Sequence, residues 1–328
     1  MSRFPRQTLL LGALISTGAA YRSAADTPPA LTPFPPLVVP GGHARFDYVV
    51  PDAKMHRIFA SHPEAEEMVV VDTNTNTLRQ LHTGAEVNST AVDVADNKVF
   101  FTGGGGKLFE YSRISLAPIK SLTLPAPADG MALDAPGDKL YIDEEHGSHI
   151  WVVDAKTLTL TATIPIDGDP EFIVADPSGS KIYQNIKPAA EIAVVDTATD
   201  SVVGTWSTKP ATGVHGLAFD AVTKRLFSAG DNGKLAVLDA TTGALITMVD
   251  IAPQVDQIDF DPAVRRLYCA SRSGQISVVE ETKTGARLLQ NVQGAPGCHT
   301  LGVDPNDHSV WICYSDGTHA YLQAYVPH

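Results

Sequence analysis

Seven copies of one short pattern constrain the fold of this 328-residue chain more than any other feature. Each copy has an Asp, a turn, an aliphatic residue and then an aromatic residue seven positions after the Asp. The pairs are Asp52–Phe59, Asp93–Phe100, Asp134–Tyr141, Asp176–Tyr183, Asp220–Phe227, Asp261–Tyr268 and Asp304–Trp311. An Asp followed by turn-forming residues joins two short strands in a hairpin. We expect the aromatic residue to pack between adjacent sheets.

A second pattern recurs in phase with the first and predicts the third strand of each repeat. Apolar stretches that end in an acidic residue lie at 68–72, 150–154, 192–196, 235–239 and 276–280. Each is followed by a turn and a fourth strand, and repeats of four strands arranged radially form a propeller. The sequence therefore predicts an all-β, seven-bladed β-propeller with four-stranded antiparallel blades.

The seventh repeat ends after its third strand, at the C-terminus of the chain. We expect residues 37–40, Leu-Val-Val-Pro, to supply the missing strand and close the last blade. That closure removes an exposed sheet edge. An open β-solenoid is the alternative, but it does not explain a matching strand before the first repeat.

Two sequence details resemble a known family. The Val-Val-Asp-Thr strand recurs at 70–73 and 194–197, and the hairpin at 176–183 reads Asp-Pro-Ser-Gly-Ser-Lys-Ile-Tyr. These features are similar to those of the YVTN/YncE-like propellers, bacterial repeat proteins directed to export. The resemblance covers nearly the whole mature chain and implies the propeller fold, but it says little about function.

The N-terminus is typical of an export signal. Arg3 and Arg6 precede a short apolar run and small residues, which predicts a signal peptide over 1–25 and a periplasmic or secreted protein. A Pro-rich leader over 26–36 and a single propeller domain over 37–328 follow. No later stretch approaches the length of a membrane-spanning helix. The alternative is a buried or lipid-anchored N-terminal helix.

Composition restricts the partners. The formal net charge is −13 and no Lys/Arg cluster occurs, so nucleic acid is not an expected partner. We expect a monomer that takes a small-molecule substrate or ligand. Among the three cysteines, Cys298 and Cys313 are the candidate disulfide pair; the alternative is that they and Cys269 are small buried apolar residues.

The position five residues before each hairpin Asp predicts a ring of polar side chains. The first strand of a blade lines the central channel, so these positions meet at one mouth. The ring residues are Asp47, Asn88, Asp129, Glu171, His215, Asp256 and His299. Four converging carboxylates repel one another unless a proton or a cation lies between them.

Residue types in the ring indicate a divalent metal. We expect the ligands to be Glu171, His215, Asp256 and His299, a set that favours zinc, manganese or iron, with calcium as an alternative. The catalytic set, which orients substrate or acts as general base, is expected to be Asp47, Asn88 and Asp129. The alternative is a solvated rim without a bound metal.

Loops at the same mouth carry the candidate substrate contacts, which are Glu145, His146, His149 and Arg272. The ring is similar in kind to the metal site of gluconolactonase and senescence-marker propellers. That similarity implies a metal-dependent hydrolase of lactone-like substrates; a lyase acting on a small oxygenated substrate fits equally well. The alternative function is a non-catalytic periplasmic binding or scaffolding propeller.

Overall fold

The computed structural model describes residues 29–328, and the predicted signal peptide, 1–25, lies outside these residues. Two short strands come first, β1 (Leu31–Pro33) and β2 (Leu37–Val39). Blade one comprises β3 (Val49–Asp52), β4 (Arg57–His62), β5 (Glu67–Asp72) and β6 (Thr77–His82). Blade two comprises β7 (Thr90–Asp93), β8 (Lys98–Gly103), β9 (Lys107–Ser112) and β10 (Pro118–Thr123). Short 3₁₀ turns at Ala53–Met55 and Pro63–Ala65 interrupt blade one.

The next four blades repeat the arrangement. Blade three comprises β11 (Ala128–Asp134), β12 (Lys139–Glu144), β13 (His149–Asp154) and β14 (Thr159–Pro165). Blade four comprises β15 (Pro170–Ala175), β16 (Lys181–Ile186), β17 (Glu191–Asp196) and β18 (Ser201–Ser207). Blade five comprises β19 (Val214–Asp220), β20 (Arg225–Gly230), β21 (Lys234–Asp239) and β22 (Leu245–Asp250). Blade six comprises β23 (Val255–Asp261), β24 (Arg266–Ser271), β25 (Gln275–Thr282) and β26 (Gly285–Gln293).

Blade seven contains both ends of the described chain. It comprises β27 (Thr300–Val303), β28 (Val310–Ser315) and β29 (Ala320–Pro327). Strand β2 pairs with residues 320–322 of β29, as the sequence predicts, and closes the ring. Strand β1 pairs with residues 325–327 of the same strand. The segment expected to be a leader therefore also contributes to the last blade. The protein is a seven-bladed β-propeller.

The aromatic residue of each repeat is buried, as predicted, and forms the core between neighbouring blades. Tyr183 of blade four illustrates the packing, because it lies in one cluster with Leu226 and Leu238 of blade five. Its ring centroid is 5.4 Å from that of Phe219. Blades are thus joined mainly by apolar burial, the dominant favourable contribution to folding.

Polar contacts on the hairpin side also join successive blades. Arg113 of blade two makes a bidentate pair with the hairpin residue Asp52 of blade one, at 2.7 and 2.6 Å. Similar contacts join other blades: Lys139–Asp200, Lys224–Asp176, Arg225–Glu281, His308–Asp261 and Thr73–Asp304. The hairpin Asp of the repeat therefore often has a second role beyond its turn.

The three cysteines are buried and free. The expected Cys298–Cys313 disulfide is therefore not formed, and the alternative of three small buried apolar residues applies. Burial raises the pKa of the Cys298 thiol to about 12. Within residues 29–328 no helix has the length and apolar character needed to cross a membrane.

Candidate functional site

A β-bulge positions the ring residue in blades three to six. In blade three, Ala128 pairs with Glu144 and Met131 pairs with Ile142, so two residues oppose one between these pairs. The first of the two is the ring residue Asp129. The register shifts at the same place in the other three blades, next to Glu171, His215 and Asp256. Because a bulge redirects the side chains on its strand, the shared irregularity explains why four ring residues face one mouth.

The other three ring residues precede their strands. The backbone N–H of Asp47 donates to Ser61 O at 3.2 Å and that of Asn88 donates to Thr102 O at 2.9 Å, which continues the pairing beyond β3 and β7. His299 comes directly before β27, and its Nδ1 lies 2.8 Å from Gly297 O. All seven ring residues therefore approach the same end of the channel.

A cavity of about 430 Å³ opens at this mouth, and every ring residue lines it. Among the predicted substrate contacts, Glu145, His146 and Arg272 lie on its wall. His149 is the exception. Its Nδ1 lies 2.7 Å from Glu144 Oε2, and this contact holds the His149 imidazole away from the cavity.

His215 lies among three carboxylates on one side of the cavity. Its Nδ1 is 3.0 Å from Glu171 Oε2 and 3.4 Å from Asp256 Oδ1, and its Nε2 is 3.6 Å from Asp231 Oδ2. Burial disfavours the charged imidazole, but the three carboxylates outweigh that effect and raise the pKa of His215 to about 11. The surrounding carboxylates therefore favour the imidazolium form of His215.

Two further cations balance the negative charge of the carboxylates on this side of the cavity. Lys187 Nζ is 2.9 Å from Glu171 Oε1, and an Arg272 guanidinium nitrogen is 2.5 Å from Asp256 Oδ2. Burial alone would raise the pKa of Asp256, but His215, His299 and Arg272 lower it to about 2. We refer to Glu171, Lys187, His215, Asp256 and Arg272 as the paired side.

Four other carboxylates on the cavity wall make no salt bridge within residues 29–328. We refer to Glu86, Asn88, Asp129, Glu145 and Asp47, all of which line the cavity, as the acidic side. Burial and the charges of Asp256, Glu145 and Glu171 raise the pKa of Asp47 to about 7, against the opposing influence of Arg272. Burial and several neighbouring carboxylates, Asp47 first, raise the pKa of Asp129 well above its usual range. Negative charge is therefore unfavourable here at neutral pH.

Two aromatic residues form part of the cavity wall beside the acidic side. The ring centroids of Tyr48 and Phe172 are 4.9 Å apart in a stacked arrangement. The Tyr48 hydroxyl donates to Asp129 Oδ2 over 3.4 Å. The sequence reasoning missed both residues, although each directly follows a ring residue and occupies a channel strand or its approach.

Asp143 is a further acidic residue that the sequence reasoning missed. It is fully buried and accepts hydrogen bonds from the Gly130 backbone at 2.6 Å and from Gln184 Nε2 at 3.1 Å. Burial raises its pKa to about 8, assisted by the charges of Glu171 and Asp169 and opposed by these hydrogen bonds. The sequence did contain a signal for Asp143. It lies nine positions after the hairpin Asp of its repeat, and the same position holds the polar residues Ser61 and Thr102 in the first two repeats.

The predicted metal ligands lie near one another, but their geometry does not favour a metal. Across residues 29–328 no group of three or more His, Cys, Asp or Glu side chains is arranged to hold a metal ion. Metal binding by Glu171, His215, Asp256 and His299 stays a prediction.

Comparisons with known proteins support the fold. No family model matches the chain. A stretch of 142 residues is 31% identical to the seven-bladed β-propeller protein Rv1057 of Mycobacterium tuberculosis, and it spans 42% of this chain and 36% of that protein. The resemblance to YVTN/YncE-like propellers stays a prediction.

Solved structures resemble the chain over most of its length. A chain in the crystal structure of the mitotic checkpoint complex has a TM-score of 0.76 and 13% identity, with 97% of this chain and 99% of that chain covered. The WD40 repeats of RRP9 give a TM-score of 0.76 at 8% identity, with 88% and 96% covered. At such identities the likeness establishes the fold alone.

Proposed function

We propose that the protein binds a small, positively charged organic ligand in the channel-mouth cavity. The observation that carries the proposal is the contrast between the two sides of the cavity. The paired side holds its carboxylates in contact with Lys187, His215 and Arg272. The acidic side repels its own charge, as the raised pKa of Asp47 reflects. A cation bound there would relieve that repulsion.

Aromatic residues favour an organic cation over a metal ion. Tyr48 and Phe172 line the cavity, and a ring face attracts an ammonium group within about 6 Å of its centroid. The cavity volume of about 430 Å³ lies in the range of small-molecule sites. Lys187 and Arg272, on the paired side, are available to a carbonyl or hydroxyl group elsewhere on the same ligand.

Isothermal titration calorimetry tests the proposal directly. The probes are spermidine, choline and agmatine, with zinc, manganese and calcium chlorides compared in parallel. We expect an organic cation to bind wild-type protein and to bind Asp47→Asn and Asp129→Asn at least tenfold more weakly. Asp250→Asn is the matched control, because it removes one carboxylate that is 86% exposed and does not line the cavity.

Proton release provides a second readout. Asp47, with a pKa of about 7, is partly protonated at neutral pH, so a bound cation should displace its proton. The binding enthalpy at pH 7 should then change with the ionisation enthalpy of the buffer in wild-type protein and less so in Asp47→Asn. Binding of none of the organic cations at millimolar concentration, together with binding of a metal ion, would replace this proposal with the metal site.

Catalysis is the second candidate function, and Asp47 is the observation that favours it. A cavity carboxyl group whose pKa lies near 7 is suited to general acid–base catalysis. The expected reactions are hydrolysis of a lactone or elimination from a small oxygenated substrate. A lactone panel, assayed with and without added divalent metal, tests this function; Asp47→Asn should abolish any turnover that Asp250→Asn retains.

The metal prediction has its own test. Metal content is measured by mass spectrometry on protein purified without chelator, beside the His215→Ala/His299→Ala double variant. About one equivalent of zinc, manganese or iron, lost in the variant, would establish the metal site. Periplasmic or secreted localisation also stays a proposal, and cell fractionation of the full chain tests it.

A further inference from the structure

A second cavity of about 490 Å³ lies between blades four and five, away from the channel mouth. Its floor is formed by Tyr183, Val194, Val203 and Trp206. Its rim includes the hairpin of blade four and residues Lys224, Ala240 and Thr241 of blade five. None of these residues lines the mouth cavity, so a ligand bound here is independent of the proposed function.

A glycine creates this cavity. Gly204 of β18 pairs with Val194 of β17, and Val194 pairs in turn with Tyr183, the aromatic residue of this repeat. The equivalent positions of other outer strands carry side chains: Arg79, Ala162, Thr247 and Gln290. A Cβ built at Gly204 would meet no atom within 4 Å. The missing side chain therefore leaves open space on the inner face of this strand.

An unusual aromatic residue borders that space. Trp206 lies opposite Ile192, where the other outer strands carry aliphatic residues: Leu81, Leu122, Ile164, Val249 and Val292. Its indole lies across the turn of blade five at Gly243, where any Cβ would overlap it. Trp206 is partly exposed, whereas Trp151 and Trp311 are 2% and 3% exposed.

The rim is polar but has balanced charge. Lys181 Nζ is 2.8 Å from Asp196 Oδ2, and Lys224 Nζ is 3.3 Å from Asp176 Oδ2. Ser178 and Ser180 add hydroxyl groups that lie 3.0 Å apart. Because each lysine has a carboxylate partner, the rim attracts neither an anion nor a cation strongly. It instead offers both hydrogen-bond donors and acceptors around an apolar floor.

We propose that the cavity formed by Gly204 and Trp206 binds a neutral carbohydrate of one or two sugar rings. The apolar face of a pyranose ring packs on an indole, and its hydroxyl groups match a rim that both donates and accepts hydrogen bonds. The cavity volume is in the range of small-ligand sites. This site is additional to the one at the channel mouth.

Tryptophan fluorescence tests the proposal, because Trp206 is the partly exposed indole among the three tryptophans. The probes are maltose, cellobiose and di-N-acetylchitobiose up to 10 mM, with calorimetry as a second measurement. At least one sugar should shift the emission of the wild-type protein in a saturable way. The Asp47→Asn variant should give the same titration, since its substitution lies in the other cavity.

Two variants alter the cavity but should keep the fold, so they test whether the sugar binds in the cavity. Trp206→Leu installs the residue of the equivalent positions Leu81 and Leu122, and Gly204→Val fills the open space with a side chain suited to a strand. Each should weaken sugar binding, measured by calorimetry, at least tenfold while leaving the far-ultraviolet circular dichroism unchanged. Thr205→Val, on the exposed face of the same strand, is the control and should bind normally.

Two results would overturn the proposal. The first is an absence of binding of all three sugars by wild-type protein, whether or not the apolar probe N-acetyl-tyrosinamide binds. The second is sugar binding that Gly204→Val leaves unchanged, because a ligand in this cavity must collide with the added side chain.

Discussion

Replacing Asp143 with asparagine should flatten the pH dependence of stability. In the folded protein its carboxyl group, fully buried, has a pKa of about 8. In the unfolded chain an Asp has a pKa of about 3.9. Between pH 5 and 7 the folded state therefore keeps a proton that the unfolded state releases. A group that binds its proton more tightly when folded makes the protein less stable as pH rises through this range.

The magnitude follows from one proton. Each pH unit lowers the free energy of unfolding by about 1.4 kcal/mol, so two units lower it by about 2.7 kcal/mol. This value is an upper limit, because one carboxyl group holds at most one proton in the folded state that the unfolded state lacks. Asp47 contributes with the same sign, and so does His215 above pH 6.5, but both contributions are present in wild type and variant alike.

Urea unfolding at pH 5, 6 and 7, followed by near-ultraviolet circular dichroism, measures the effect. The comparison uses the difference in unfolding free energy between pH 5 and pH 7, which should be smaller in Asp143→Asn than in wild type by 1 kcal/mol or more, up to about 2.7 kcal/mol. The exposed Asp250→Asn variant should keep the wild-type slope. Equal slopes in Asp143→Asn and wild type would refute the assignment of a protonated Asp143.

Three further outcomes are expected. Asp52→Asn and Arg113→Met should each lower the unfolding free energy by about 3 to 5 kcal/mol in urea titrations, with the double variant less destabilised than the sum, because each single change leaves a buried charge unpaired. Leu31→Ala should cost about 2 to 5 kcal/mol by the same measurement, since Leu31 is 1% exposed in the core between blades six and seven; a neutral effect would contradict the role of β1. Ellman's reagent should react slowly with the native protein and rapidly with three thiols in guanidinium, whereas a single reactive thiol in guanidinium without reductant would reveal a disulfide.

The fold was predictable from the sequence because its repeat encodes both a turn and a core. The Asp of each hairpin and the aromatic seven residues later, such as Asp176 and Tyr183, specify strand ends and inter-blade packing together. The closing strand at 37–39 was predictable by elimination, since β29 would otherwise expose an edge. Strand β1 was not, because its Pro-rich surroundings indicate an extended leader and not a paired strand.

The site was predictable in position but not in charge state. Counting back five residues from the hairpin Asp finds Glu171 and His215. The count works in both blades because the β-bulge lies at the same place in each first strand. Counting does not reveal which cation reaches which carboxylate. The contacts of Lys187 and Arg272 depend on loop conformation, and they neutralise part of the negative charge of the seven-residue ring.

The closure of blade seven has a consequence for the order of events during synthesis. Gln323 of β29 donates a hydrogen bond to Phe34 O, across a separation of 289 positions in the chain. On the ribosome, β1 and β2 emerge long before the strand against which they pair. Blades one to six can form their own hairpins as they appear, whereas the ring closes only after β29 has left the exit tunnel. Contacts of such long sequence separation fold slowly. We therefore expect β1 and β2 to stay unpaired in the nascent chain until residues 320–327 have been synthesised.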